Sequence, residues 1–130
     1  MSILVATDGQ SHSEKAVRFA IELARCRKTS LFVLHIIRGR RGVDNEKIIK
    51  DGMMLLERIK DIGTAYGVSV TGILESGTVY DLIISKAQEN DVDIIVLGTS
   101  GTPHTEGGQT MGSVSEFVVH NAKCTVVVVR

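Results

Sequence analysis

"SILVATDGQSHSEKAVRFAIELARCRKTSLFVLHII", residues 2–37, holds two apolar runs separated by one amphipathic segment. The first run, "SILVAT" (2–7), is rich in strand formers and closes on Asp8-Gly9, a turn pair. The segment after it puts Ala16, Val17, Ala20, Leu23 and Ala24 on one face at helical spacing. Ser11 followed by Glu14 has the S-x-x-E form of a capping box, so the helix is expected to start there. "SLFVLHII" (30–37) is too continuously apolar to be half exposed and reads as a buried strand. Strand, helix, buried strand is the unit of a parallel sheet covered by helices.

The rest of the chain repeats that unit. After the polar turn "RGRRGVDNE" a long helix is expected over about residues 44–66, with Ile48, Leu55, Leu56, Ile59, Ile62 and Tyr66 as its apolar stripe. Met53 and Met54 lie in this core-forming helix and carry no cofactor signal. "VSVTGIL" (68–74) alternates as a strand nearer an edge does, and Thr78 can cap a third helix that turns Val79, Leu82, Ile83 and Ala87 inward. "DIIVLG" (93–98), a helix from about Ser113 to Asn121 and "CTVVVVR" complete a β-α-β-α-β-α-β-α-β order. The expected fold is α/β: a single-domain, open five-stranded parallel sheet with helices on both faces.

Length and composition agree. The 130 residues suit one domain with a real core, and 15 basic side chains balance 15 acidic ones, which argues against a nucleic-acid surface as the main function. No apolar run reaches the length of a membrane span and the start lacks a signal peptide's pattern, so a cytoplasmic location is expected. Cys26 and Cys124 form no C-x-x-C pair and read as small buried hydrophobes. His12, His35, His104 and His120 have no metal-ligand spacing, and His35 reads as a strand-end side chain with a hydrogen-bond partner.

One irregularity remains: "LGTSGTPHTEGGQTMGSVSEF", residues 97–117, which places five glycines between a strand and a helix. Such clustering calls for tight turns or close backbone approach to a ligand. It is not a dinucleotide fingerprint, which would follow the first strand. Nor does the chain contain a P-loop or a G-x-S-x-G elbow.

The chain as a whole resembles the universal stress protein family. "ILVATDGQSHSEKAVRFAIELA" is similar to that family's first strand, Asp-containing turn and first helix, "LFVLHII" to its second strand, and "DVDIIVLGTSG" with "GSVSEFVVHNAKCTVVVV" to its C-terminal half. The family's ATP-binding branch carries G-x2-G-x9-G-[ST]. Gly98, Gly101 and Gly112-Ser113 match it, except that ten residues, Thr102 to Met111, stand where the pattern has nine. The resemblance implies strand order 3-2-1-4-5 and an adenine-nucleotide-binding, Rossmann-like fold, with a ligand crevice at the carboxyl ends of strands 1 and 4. It implies that Gly101, Gly112, Ser113 and Val114 hold phosphates, that Gly98 and Asp8 hold the ribose, and that Ile36 meets adenine through its main chain, with Ala6 and Thr7 lining the same pocket. It also implies a homodimer through the last strand, where four valines on a sheet edge need cover.

Each residue has a plainer reading: Asp8-Gly9 as an ordinary turn, Ser113 as a helix cap. Joint placement favours the ligand. Charge weighs against a triphosphate, because no Lys or Arg occurs from Gly98 to Ser115. Mg2+ or "RGRRG" (38–42) could supply the missing charge. The expected function is therefore an adenine-nucleotide (ATP, ADP or AMP) binding regulatory protein of stress response. A ligand-free dimeric interaction protein is the alternative. Slow ATP hydrolysis ranks last, since Asp8, His104 and Glu106 are candidate bases by proximity alone.

Overall fold

The computed structural model describes residues 1–37, 45–99 and 112–130. Among these described residues lie the expected nine elements: β1 (Ser2–Thr7), α1 (Ser11–Arg27), β2 (Ser30–Ile37), α2 (Asn45–Ala65), β3 (Val70–Ser76), α3 (Val79–Glu89), β4 (Ile94–Gly98), α4 (Ser113–Asn121) and β5 (Thr125–Val129). All strand pairs are parallel, in the order β3-β2-β1-β4-β5.

Alternation along the strands builds two cores. Ile3 and Val5 of β1, Leu31 and Val33 of β2, and Ile94 and Val96 of β4 face α1 and α2, where they meet Ala16, Val17, Ala20, Ile21, Ala24, Leu56 and Ile59. Leu4, Leu34, Ile36, Ile95 and Leu97 face the other way and pack with Ile83 and Ala87 of α3 and Val118 of α4. The continuous apolar runs are thereby explained: both faces of the central strands are covered. β3 and β5 are the edges; β3 does not show the expected strict alternation, since Val70 is buried, Thr71 and Gly72 are exposed, and Ile73, Leu74 and Glu75 are all half-buried.

Three helices end alike. Gly67, Lys28 and Asp91 take left-handed backbones, and the next residue's N–H returns to the last helical turn: Val68 to Gly63 O at 2.8 Å, Thr29 to Ala24 O at 3.0 Å, Val92 to Ala87 O at 2.9 Å. This explains why β3 starts at Val70 and not at 68: Val68 is still closing the helix. α2 packs through a tighter surface than its apolar stripe suggests. Gly52, Leu56, Ile59 and Gly63 are its buried residues, whereas Ile62 and Tyr66 lie at its exposed flank. Met53 and Met54 point outward, 58% and 56% exposed: Met54 falls on the side opposite the glycines and Met53 on the flank between. Cys26 is exposed rather than buried, and Cys124 is half-buried, where burial pushes its thiol pKa up.

The glycine contacts make a prediction. A Cβ on Gly63 would overlap Val70 Cγ2, a stiff β-branched side chain that is itself buried. Helix propensity favours Ala by about 1 kcal/mol, but overpacking costs roughly 1–3 kcal/mol. Gly63→Ala is therefore expected to lower the unfolding free energy by about 1 kcal/mol in urea denaturation.

Candidate functional site

The site follows from where the ladders stop. β1 pairs with β4 from Ile3–Ile94 to Val5–Val96, yet β1 runs on through Ala6 and Thr7, and β4 through Leu97 and Gly98. The two strands part at their carboxyl ends. On the other side, β1 ends against β2 at Thr7–His35, while Ile36 and Ile37 continue paired to β3 alone. Ile36 thus carries its main chain past the end of β1 while its side chain is buried in the α3–α4 core. α1 leaves β1 toward one face of the sheet and α4 packs on the other. This is the topological switch point at which open α/β sheets take ligands.

The β1–α1 turn is heavily hydrogen-bonded. Asp8 Oδ1 accepts the Gln10 N–H at 2.9 Å and the Ser13 hydroxyl at 3.0 Å. Thr7 Oγ1 lies 2.9 Å from Ser13 Oγ and accepts the N–H of Gly9, whose φ is +81°. From below, the His35 Nδ1–H donates to the Thr7 carbonyl at 3.2 Å. His35 is in turn covered by α2, where a Cβ on Gly52 would come within 2.9 Å of its ring. The expectation of a hydrogen-bonded strand-end histidine holds. The helix starts at Ser11 as expected, but its N-cap is Gln10, which makes no side-chain cap bond and whose N–H goes to Asp8.

Across the crevice, Gly112 is the N-cap of α4, with extended backbone and no side-chain cap bond. Ser113 is the first helical residue and is exposed, so it is not the cap. Val114 is half-buried. The Ser115 hydroxyl, 2% exposed, donates to the Gly98 carbonyl at 2.9 Å, tying the first turn of α4 to the end of β4. Helix α4 therefore offers first-turn N–H groups beside Gly98 that no side-chain cap closes off among the described residues. Glu116 also lies in that turn.

Ala6, Thr7, Asp8, Ile36, Gly98, Gly112, Ser113 and Val114 all sit at the carboxyl edge of the sheet or at the start of α4. Gly101, His104, Glu106 and "RGRRG" lie outside the described residues. Two site residues were not singled out from sequence: Ser13 and Ser115. Each is a buried serine in the first turn of a helix, a pattern that could have marked them. Among the described residues no group of three His, Cys, Asp or Glu could hold a metal ion, and no helix is long and apolar enough to cross a membrane. A separate trough of about 670 Å³ runs between α1 and α2, with Thr7 and Gly9 at one end and Tyr66 and Arg58 along its wall.

A doubly wound parallel sheet opening at the β1–β4 switch point defines the class. Within it, the family model of the universal stress protein family matches residues 1–130, and the chain belongs to that family. It is 27% identical to a universal stress protein of Methanocaldococcus jannaschii, over 98% of this chain and 81% of that one. To the universal stress protein YxiE of Bacillus subtilis it is 29% identical, over 98% and 97%. Among solved structures, the universal stress protein from Archaeoglobus fulgidus in complex with dAMP superposes with a TM-score of 0.77 at 28% identity, over 100% of this chain and 98% of that one.

Proposed function

We propose that this chain binds an adenine nucleotide in the crevice between β1 and β4 and acts as a nucleotide-dependent regulatory protein. Asp8 accepts from the ribose hydroxyls, with Gly98 across from it. The main chain of Ile36 meets adenine beside Ala6 and Thr7. Gly112, Ser113 and Val114, with Gly101, receive the phosphate at the start of α4. The observation that carries this reading is the first turn of α4, which has glycine at its N-cap and is held by Ser115 against Gly98, the end of the strand next to β1. The dAMP complex of the Archaeoglobus relative supports it.

Charge sets the expected preference. With Glu116 in the first turn and no Lys or Arg from Gly98 to Ser115, the loop and the start of α4 supply positive potential through backbone N–H groups and no cationic side chain. Without a divalent cation, AMP is expected to bind within about tenfold of ATP, since the outer phosphates gain no cationic partner. Mg2+ is expected to favour ATP selectively. Equilibrium dialysis of AMP and ATP, with and without Mg2+, checks this; ATP binding a hundredfold tighter than AMP in metal-free buffer would contradict it.

The family resemblance and the exposed edge of β5 support a homodimer. Val126 to Val129 are each half-buried in the single chain, an edge natural proteins do not leave bare. Val128→Lys is expected to turn a sedimenting dimer into a folded monomer.

A further inference from the structure

We infer that Thr7 and Ser13 form a directed hydroxyl relay that aims the Asp8 carboxylate, making Ser13 the positioning residue on which recognition of the sugar hydroxyls depends. The inference rests on the nucleotide reading above and names a residue that acts through Asp8 without touching the ligand.

The direction of the relay follows from counting hydrogens. Thr7 Oγ1 already accepts the Gly9 N–H, so its own proton is free to go to Ser13 Oγ, 2.9 Å away. Ser13 then accepts from Thr7 and has one proton left. Two oxygens lie in range of it: Asp8 Oδ1 at 3.0 Å and the Gln10 carbonyl at 2.9 Å. A bond to an ionised acceptor is about twice as strong as a neutral one, so the proton goes to Asp8. Both hydroxyls are buried, Thr7 6% and Ser13 5% exposed, so water does not compete for these bonds. With the Gln10 N–H on the same oxygen, Oδ1 is fixed by two donors from the protein. The carboxylate plane is thereby set before any ligand arrives, which is what preorganised recognition of a sugar requires.

The test compares AMP, 2′-deoxy-AMP and 2′,3′-dideoxy-AMP on the wild type, Ser13→Ala and Ser13→Thr, with unfolding midpoints measured alongside. In the wild type, AMP is expected to bind about tenfold or more tighter than the dideoxy nucleotide, since a hydrogen bond to a charged group is lost. In Ser13→Ala that ratio should fall to about threefold or less, with dideoxy-AMP binding unchanged; Ser13→Thr, which keeps the hydroxyl, should restore it. An unchanged ratio in Ser13→Ala overturns the inference while leaving nucleotide binding intact, as does an equal loss for all three nucleotides, the mark of a merely structural serine. If Ser13→Ala fails to fold, Thr7→Val, which removes the proton donated to Ser13, must lower the ratio in the same direction. Wild type binding none of the three would overturn the nucleotide reading and the relay together.

Discussion

Leu4→Ala is expected to lower the unfolding free energy by about 3–5 kcal/mol, the upper range for a buried leucine. Leu4 sits in the middle of the central strand, fully buried, paired in register with Phe32 on one side and Ile95 on the other. Its side chain enters the core formed with Leu34, Ile36, Ile83, Ile95, Leu97 and Val118, contributed by two further strands and two helices. No single element can shift to fill the space without disturbing its own pairing, so the cavity stays open. Against a total stability typical of such domains, roughly 5–15 kcal/mol, the loss is a large fraction. Met53→Ala, on the outward face of α2, should change stability by no more than about 0.5 kcal/mol. Denaturation of the two variants side by side checks both values; similar losses would mean the assigned faces of α2 are wrong.

Asp8→Ala is expected to weaken AMP binding by about 10- to 150-fold, corresponding to roughly 1.5–3 kcal/mol for hydrogen bonds to a charged acceptor. The variant loses the proposed sugar acceptor, and the Gln10 N–H and Ser13 hydroxyl lose their partner at the same time. Gln10 is exposed, so water replaces that bond, and Ser13 retains the Gln10 carbonyl at 2.9 Å. The turn should therefore survive and the chain stay folded. Titration of AMP into Asp8→Ala with the same affinity as wild type would remove Asp8 from the site.

The fold was legible because its signals repeat. Continuous apolar runs such as "SLFVLHII" can only be strands covered on both faces, and Asp8-Gly9 punctuates one as expected. Boundaries failed where the local chemistry was cooperative: β3 begins two residues late because Gly67 and Val68 finish α2 by a left-handed turn. The stripe of α2 was right at Leu55, Leu56 and Ile59 but wrong at Ile62 and Tyr66, because two glycines, invisible to a count of apolar residues, turn the helix toward His35 and Val70. Ser11-x-x-Glu14 marked the start of α1 correctly, but the N-cap position falls one residue earlier, on Gln10. Of the site, Asp8, Gly98 and Gly112 could be placed from sequence as the residues at strand and helix ends. Ser13 and Ser115 were not, although a serine in the first turn of a helix could have marked both; Ser13 bonds its neighbours in the turn, whereas Ser115 meets Gly98 across 17 residues of chain.

The central claim is that the β1–β4 crevice holds an adenine nucleotide, and calorimetric titration of AMP into the wild type and a Gly101→Val, Ser113→Ala double variant tests it most directly. The account predicts saturable binding to the wild type that is lost in the variant. Absence of binding to the wild type at millimolar AMP, or equal binding to both proteins, would contradict it.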